Sequence, residues 1–255
     1  MNEHFFIPDT QVKAGVPIEH LEAAGNYIID RKPDVIIHAG DHFDMPSLSS
    51  YDRGTKKAEG LTYQDDIEAG IIGMEKLLGP LNKYNALRAR RKMRKYTPRM
   101  EFLLGNHEER IMRYVNCNGI MDGKLSYRDL KLEAMGWNVN NFLTPVDIDG
   151  VTYAHYFYNP NTGRPYGGKC ATRLNNIGFS FTMGHQQGRD EAEKPLANGR
   201  TLRGLIAGSF YQHEEDYKGP QGNHHWRGCI YKHEVKDGNY CLMELSLNYL
   251  MEKWL

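Results

Sequence analysis

Residues 34–44 read Asp-Val-Ile-Ile-His-Ala-Gly-Asp-His-Phe-Asp, an apolar run that stops at a glycine followed by two aspartates. A near-continuous apolar run of this length predicts a strand that is buried on both faces, as strands of parallel sheets are. The polar residues would then lie at the carboxyl end of that strand. Open α/β sheets place their ligand sites at this edge. The stretch therefore predicts an α/β fold and the position of its functional site.

Four other apolar, β-prone runs also stop at polar side chains that can bind metals. The five resulting fragments are Asp9-Thr10-Gln11, Gly40-Asp41-His42-Phe43-Asp44, Gly105-Asn106-His107-Glu108, His155 and Gly184-His185-Gln186-Gln187. One such fragment is a common strand-end turn. Five in succession predict a single site that is built from the ends of several strands.

The composition limits the class of protein without identifying a function. The chain has 255 residues, 40% of them hydrophobic, which suits one domain over 1–255 with a sizeable core. Lys+Arg and Asp+Glu both number 32, so no overall charge draws the protein to nucleic acid or to a membrane. Four scattered cysteines, no signal peptide pattern and no apolar run of spanning length predict a cytoplasmic protein without a membrane partner.

The segments between the fragments predict alternating strands and helices, which favour βαβ units and a parallel or mixed sheet. Gly79-Pro80 is expected to break or kink a helix that starts at Tyr63, and residues 45–61 read as a long polar loop that could overhang the site. The predicted helices are 17–31, 63–78, a further one ending near 95, 109–115 and 127–135. The predicted strands are 4–8, 34–39, 100–104, 151–155, 178–183, 202–208, 228–235 and 239–246. A second sheet facing the first would give a sandwich with helices outside.

The order of the fragments resembles the calcineurin-like metallophosphoesterase superfamily, with its pattern D-x-H, G-D-x-x-D, G-N-H-[DE], a single H, and G-H-x-H. The second and third motifs match at every defining position, and the resemblance runs from Asp9 to Gln187. Segments 209–213 and 223–227 resemble stand-alone phage metallophosphoesterases, which would place the protein in a host cytoplasm. The resemblance implies a four-layer αββα sandwich of two mixed β-sheets flanked by helices. It also implies a binuclear-metal phosphohydrolase that uses a metal-bound hydroxide as nucleophile.

The resemblance also assigns roles to residues of this chain. Asp41 would bridge two divalent cations, and His107 would contact the phosphate and protonate the leaving oxygen. Asp44 would orient His107, with Glu108 as a second supporting carboxylate. The first cation would be bound by Asp9, Gln11, Asp41 and Gln187, and the second by Asp41, Asn106, His155 and His185.

Two positions depart from the family pattern, and both fall on the first cation. Gln11 and Gln187 stand where the family has histidines. An all-oxygen site favours Mn²⁺ or Mg²⁺ over Zn²⁺, so we expect Mn²⁺ first, with Mg²⁺, Fe or Zn²⁺ as alternatives. The second site keeps two imidazoles and should bind more tightly. A degenerate enzyme with a damaged first site is the other interpretation.

Substrate contacts are predicted at three residues outside the metal ligands: Arg53, Arg110 and His213. The basic segment 88–95 is either a solvated helix face or a patch that follows nucleic-acid phosphates. The Gly-Asp-His-Phe-Asp motif favours a phosphodiesterase acting on a nucleotide or nucleic acid. A phosphomonoesterase or protein phosphatase is the alternative, because Gly-Asn-His-Glu-x-Arg is typical of phosphoprotein phosphatases. The rival from another class is a non-catalytic binding module of the same fold.

Overall fold

The computed structural model describes residues 1–50, 59–215 and 218–255 as a mixed α/β structure. Its helices are α1 (Glu19–Arg31), α2 (Tyr63–Arg90), α3 (Arg110–Cys117), α4 (Cys170–Ile177), α5 (Gly219–Gly222) and α6 (Leu247–Trp254). The first strands are β1 (Asn2–Ile7), β2 (Val35–His38), β3 (Arg99–Leu103), β4 (Asn138–Asn140), β5 (Val146–Ile148) and β6 (Val151–Ala154). The later strands are β7 (Tyr158–Asn159), β8 (Arg164–Pro165), β9 (Phe181–Met183), β10 (Arg189–Pro195), β11 (Thr201–Ala207), β12 (Gly228–Lys236) and β13 (Asn239–Ser246).

Two large mixed sheets form the centre of the fold. The first has six strands in the order β13-β12-β1-β2-β3-β4, with β1 to β4 parallel and β12 and β13 antiparallel to their neighbours. The second has five strands in the order β10-β11-β9-β6-β5, with a parallel centre and antiparallel edges. Strands β7 and β8 pair as a separate two-stranded ribbon.

Side-chain alternation along β1 shows how the layers are arranged. Phe5 and Ile7 belong to a core shared with α1, α2 and α6, whereas Phe6 belongs to the core between the two sheets. On the far side of the second sheet, Leu174 of α4 packs in a third core with Phe181. Because successive strand residues face opposite sides, one strand contributes to two cores. The order helix, sheet, sheet, helix confirms the predicted four-layer αββα sandwich of two mixed β-sheets.

The predicted break at Gly79-Pro80 is wrong, since α2 continues through Pro80. A proline inside a helix removes one backbone hydrogen bond and costs about 3 kcal/mol. Here the proline is buried where α1 crosses α2, and Gly25 of α1 approaches it closely. A Cβ on Gly25 would lie 2.3 Å from the Leu77 carbonyl oxygen and 3.0 Å from the Pro80 ring. Close packing between the helices offsets the local cost.

Two further predictions also need correction. Residues 127–135 form two short 3₁₀ turns, Tyr127–Leu130 and Glu133–Met135, in place of one helix. Strand β9 is shorter than the predicted 178–183, because Gly178 ends α4 in a left-handed conformation. Within the predicted loop 45–61, residues 46–48 form a short 3₁₀ turn and residues 51–58 lie outside the described residues.

The loops that follow β1 and β2 are tied together at the carboxyl edge of the first sheet. The N–H groups of Gln11 and Val12 donate to the carbonyls of Asp41 and His42, at 2.8 and 2.7 Å. The first two fragments are therefore fixed against each other by backbone hydrogen bonds. Among the described helices, none is long and apolar enough to cross a membrane. All four cysteines are unpaired, and the cytoplasmic location stays a prediction.

Candidate metal centre

Four of the five fragments line one open cavity of 450 Å³. The residues around it are Gln11, Asp41, Asn106, His107, His185, Gln187, Gly188, Lys218, Gly222 and His225. Buried Asp9 and His155 contact this lining: the His185 N–H donates to Asp9 Oδ1 at 2.9 Å, and His155 Nε2 lies 3.3 Å from Asp41 Oδ2. The fold thus brings all seven predicted metal ligands together.

Glu108 holds the fragment that carries Asp41. Its carboxylate is fully buried and accepts hydrogen bonds from the backbone N–H groups of Asp41, His42, Phe43 and Gly105, at 2.7 to 2.9 Å. Three of these donors follow β2 and the fourth follows β3. One side chain therefore fixes two strand ends relative to each other and sets the position of Asp41.

His155 is oriented so that one ring nitrogen is hydrogen-bonded to the backbone and the other faces two further candidate ligands. Its Nδ1–H donates to the Ala39 carbonyl at 2.8 Å, which leaves Nε2 beside Asn106 Oδ1 at 3.0 Å and Asp41 Oδ2 at 3.3 Å. His155 Nε2, Asn106 Oδ1 and Asp41 Oδ2 thus turn lone pairs toward one another. A proton or a cation between them would offset the repulsion. Burial lowers the pKa of His155, but the Asp41 charge outweighs it and raises the pKa to about 9. A proton on Nε2 would then occupy the position of a cation.

A second set of acceptors lies beside Asp41 without any donor. Asp9 Oδ2 and Gln11 Oε1 are fully buried and have no hydrogen-bond partner among the described residues. Burial raises the pKa of Asp9 to about 7; the charge of Asp41 adds to the rise, and His155 opposes it. Unpartnered buried acceptors cost about 1–3 kcal/mol each. The donor set therefore fits a cation, which would satisfy all of these oxygens at once.

Three of the candidate ligands have a strained backbone. Gln11, Asp41 and His185 have positive φ values of 42°, 48° and 62°. Side chains other than glycine rarely adopt this left-handed conformation, and such residues cluster at functional sites. The strain aims three side chains of different strand ends at one point.

Two motif glycines allow the carboxylates to approach the neighbouring backbone. A Cβ on Gly105 would lie 2.2 Å from Asp41 Oδ1, and a Cβ on Gly184 would lie 2.4 Å from Asp9 Oδ1. Only glycine fits at either position. The glycines of the third and fifth fragments thus create the space that the candidate ligands occupy.

His107 stands at the cavity wall with its ring held by Asp44. Its Nδ1–H faces Asp44 Oδ1 at 2.7 Å and the Asp44 carbonyl at 2.9 Å, and Nε2 lies 3.7 Å from Asp41 Oδ2. Burial lowers the pKa of His107, but Asp41 and Asp44 together raise it to about 9. Lys13 in turn contacts Asp44 at 2.9 Å and Glu215 at 2.7 Å. Lys13 could not be singled out from the sequence, since it lies in a turn without a motif.

The three predicted substrate contacts have different outcomes. Arg110 donates to the Asp44 and Met45 carbonyls at 2.8 and 3.2 Å, and its guanidinium lies 3.4 Å from His107 Nε2. His213 is stacked on Tyr211 and bound to Glu215 at 2.7 Å, away from the cavity lining. Arg53 lies outside the described residues.

The basic segment lies far from this cavity. Gly70 of α2 accepts from His42 Nε2 at 2.9 Å, next to the site, and Arg90 ends the same helix. Twenty residues of helix separate them by about 30 Å. Residues 88–95 therefore lie near the amino edge of the first sheet, opposite the candidate centre.

Lys218 and His225 line the cavity although sequence reasoning did not single them out as ligands or phosphate contacts. Lys218 donates to the Tyr211 hydroxyl at 3.3 Å, and that hydroxyl donates to Gln187 Oε1. Burial, assisted by the nearby Arg227 charge, lowers the pKa of Lys218 to about 8. The only sequence signal was the density of histidine, aromatic and basic residues in 209–227.

Comparisons with known proteins leave the family open. No family model matches this chain, and no curated protein matches it. Among solved structures 36 chains are similar. One, described only as a crystal structure, shares 9% identity at a TM-score of 0.42, over 95% of this chain and 98% of the other. A likeness this weak carries no argument about function.

Proposed function

We propose that this chain is a binuclear-metal phosphohydrolase of the calcineurin-like metallophosphoesterase superfamily, and that it cleaves phosphodiesters. The observation that carries the proposal is the pair of unpartnered buried acceptors, Asp9 Oδ2 and Gln11 Oε1, beside Asp41. Among the buried side-chain atoms of the described residues that lack a partner, these are the only carboxylate or amide oxygens, and they lie side by side. Their orientation is explained if a cation completes the cluster.

The ligands divide between two cations that share Asp41. Asp9, Gln11 and Gln187 would hold the first, and Asn106, His155 and His185 the second. One ligand atom from each of Asp41, His155 and His185 lies within 4.8 Å of the others, which supports the second site. When bound, two divalent cations would polarise the phosphoryl oxygens and lower the pKa of an attacking water.

His107 would supply the proton for the leaving oxygen from Nε2. The Asp44 carboxylate binds Nδ1–H, so the ring cannot turn that nitrogen toward the substrate. Burial lowers the pKa of the ring, and the Asp41 and Asp44 carboxylates raise it; Asp44, which is not a candidate ligand, would still favour the protonated ring beside bound cations. Arg110 fixes the backbone of Asp44 and lies close enough to Nε2 to contact a phosphoryl oxygen there.

Lys218 would contact the phosphate from the opposite wall. Its amine belongs to a cavity that also contains the candidate ligands, so a phosphate there would lie between cationic groups. The cavity volume is within the usual range of about 300–1,000 Å³ for small-molecule sites, which suits one nucleotide unit. The basic segment 88–95 is too distant to contact the same phosphate, so it gives no support to the preference for nucleic acid.

The test is hydrolysis of bis(p-nitrophenyl) phosphate by the Mn²⁺-loaded protein. Asp41→Ala should remove activity because both cations lose a ligand, and His107→Ala should lower kcat by about 10²–10⁴-fold, the usual range for a general acid. His233→Ala, a half-exposed histidine on β12, is the matched control. Isothermal titration with Mn²⁺ separates the two variants: binding should be lost in the first and kept in the second.

Two results would count against the proposal. Hydrolysis of neither this diester nor p-nitrophenyl phosphate by metal-loaded protein would favour the non-catalytic module. Hydrolysis of the monoester alone would replace the phosphodiesterase with a phosphomonoesterase.

A further inference from the structure

A chain of aromatic rings leads outward from the candidate metal centre. The His155 and His185 rings lie 5.2 Å apart, and the Tyr156 ring lies 4.5 Å from that of His185. Tyr158 is stacked on Tyr156 at 5.6 Å, with 29° between the planes. The rings of two candidate ligands are therefore in contact, through His185, with a stacked tyrosine pair.

The Tyr156–Tyr158 pair is held by packing of the residue between them, and its outer member is exposed to solvent. Phe157, which lies between the two tyrosines in the sequence, packs in the third core, where its ring centre lies 5.4 Å from that of Phe181. Strand β7, which begins at Tyr158, pairs with β8. The Tyr166 N–H donates to the Phe157 carbonyl at 2.9 Å. Tyr156 is 7% exposed, whereas Tyr158 is 40% exposed. Tyr158 is thus stacked on Tyr156 and partly exposed to solvent.

Positive charge lies beside the same rings. The Arg113 guanidinium stands over the Phe142 ring at 5.9 Å, and Phe142 contacts Tyr156 at 5.6 Å. A ligand stacked on Tyr158 would therefore have the candidate metal centre on one side and a cation nearby. Aromatic faces next to cationic groups bind nucleobases with their phosphates, largely without regard to sequence.

We infer that Tyr156 and Tyr158 form a base-stacking platform, and that the substrate is a nucleoside phosphodiester whose base lies on Tyr158 while its phosphate lies at the metal centre. The inference rests on the proposed function and adds the chemical class of the substrate. The nucleoside could belong to a mononucleotide diester or to a single strand.

The test compares two diesters that have the same leaving group. Thymidine 5′-(p-nitrophenyl phosphate) carries a base, and methyl p-nitrophenyl phosphate does not. Tyr158→Ala should lower the ratio of their kcat/KM values roughly tenfold or more, mainly through KM of the nucleoside substrate. Tyr158→Trp should keep the ratio or raise it. Tyr249→Ala is the matched control, because Tyr249 is 43% exposed on distant α6, and it should leave the ratio at the wild-type value.

The outcomes separate the inference from the proposed function. Hydrolysis of the methyl ester with a ratio that Tyr158→Ala does not change would overturn the platform and keep the phosphodiesterase. If neither ester is hydrolysed, the proposed function fails, and equilibrium binding decides about the platform. Octathymidylate should then bind more tightly than an abasic octamer, with the difference lost in Tyr158→Ala; equal binding of the two would overturn the platform. Comparing the Kd of thymidine monophosphate with that of octathymidylate shows whether the protein prefers a mononucleotide or a single strand.

Discussion

The space between the two sheets holds a buried polar cluster at each end, and the two clusters differ in how their polar atoms are satisfied. At the carboxyl end, Asp9 and Gln11 keep acceptors that have no donor among the described residues. Near the other end, Lys232 is fully buried and donates to the hydroxyls of Tyr153, at 3.3 Å, and Thr182. His4 of β1 lies five residues before Asp9, which follows the strand, so the two are about 16 Å apart; His4 Nδ1 contacts the Tyr153 hydroxyl at 2.8 Å.

The Lys232 cluster is complete without a ligand. Its amine lies 4.1 Å from the centre of the Tyr240 ring and 4.7 Å from that of Tyr153, and the other nitrogen of His4 contacts Asp149 at 2.9 Å. Burial lowers the pKa of Lys232 well below its usual value of 10.5. Both clusters are buried and titratable, so burial and shifted pKa values do not separate a candidate site from a structural network. The two clusters differ in that a carboxylate oxygen and an amide oxygen stay without a donor only at the candidate centre.

The largest expected difference is the response to divalent metal. If Asp9, Gln11 and Asp41 are cation ligands, Mn²⁺ at about 1,000 times its Kd should stabilise the protein by about 4 kcal/mol. That corresponds to a rise in Tm of about 10 °C for a chain of this size, measurable by differential scanning calorimetry with EDTA as reference. Asp9→Asn should reduce the rise and Lys232→Met should keep it. An equal loss of the Mn²⁺-induced rise in Tm in both variants would mean that the two clusters do not differ in metal binding.

A smaller effect is expected when the Lys232 amine is replaced by an apolar side chain of similar length. Lys232→Met should raise the free energy of unfolding at pH 7 by about 1–2 kcal/mol, because the buried amine no longer has to be desolvated. In the wild type the unfolded chain binds a proton at this lysine that the folded chain does not. Wild-type stability should therefore rise as pH approaches 10.5, and the advantage of Lys232→Met should shrink. Urea unfolding at pH 7 and pH 9.5 tests both; a clear loss of stability would mean that the hydrogen bonds of Lys232 outweigh its desolvation.

The smallest effect concerns the composition of the first metal site. Gln11→His combined with Gln187→His should tighten that site by about tenfold, most clearly for Zn²⁺, because imidazole suits zinc better than an amide oxygen does. The gain is limited because Gln187 Oε1 accepts from Tyr211, a bond that the substitution removes. Gln64→His, on the exposed start of α2, is the control for an added surface histidine. Unchanged affinity in isothermal titration would argue against Gln11 and Gln187 as ligands.

Much of the candidate site could be predicted from the sequence because strand ends are readable as apolar runs that stop. Asp9, Asp41, Asn106, His155 and His185 were singled out in this way, and parallel strands necessarily bring their carboxyl ends to one edge. Segment 223–227, which contains His225, could be read only as one possible pocket wall, and Lys218 was not singled out, because no regular period fixes the direction of side chains in this part of the chain.

The fold, too, is predicted from the sequence only where local pattern decides it, and not where distant residues do. The pairing of β12 with β1 joins residues more than 200 positions apart, so strand propensity alone does not assign β12 and β13 to the first sheet. Pro80 illustrates the opposite error: local propensity predicted a break, and packing against Gly25 overrides it.

The sequence alone determined an α/β fold, the order of the strand ends and the chemistry of the groups placed on them. These follow from periodicity and residue type, which are local properties. Only the tertiary structure decided which acceptors are left without donors, how Glu108 fixes Asp41, and that Tyr156 and Tyr158 continue outward from the candidate centre. Those features depend on distances between residues remote in the chain, and only the folded chain sets such distances.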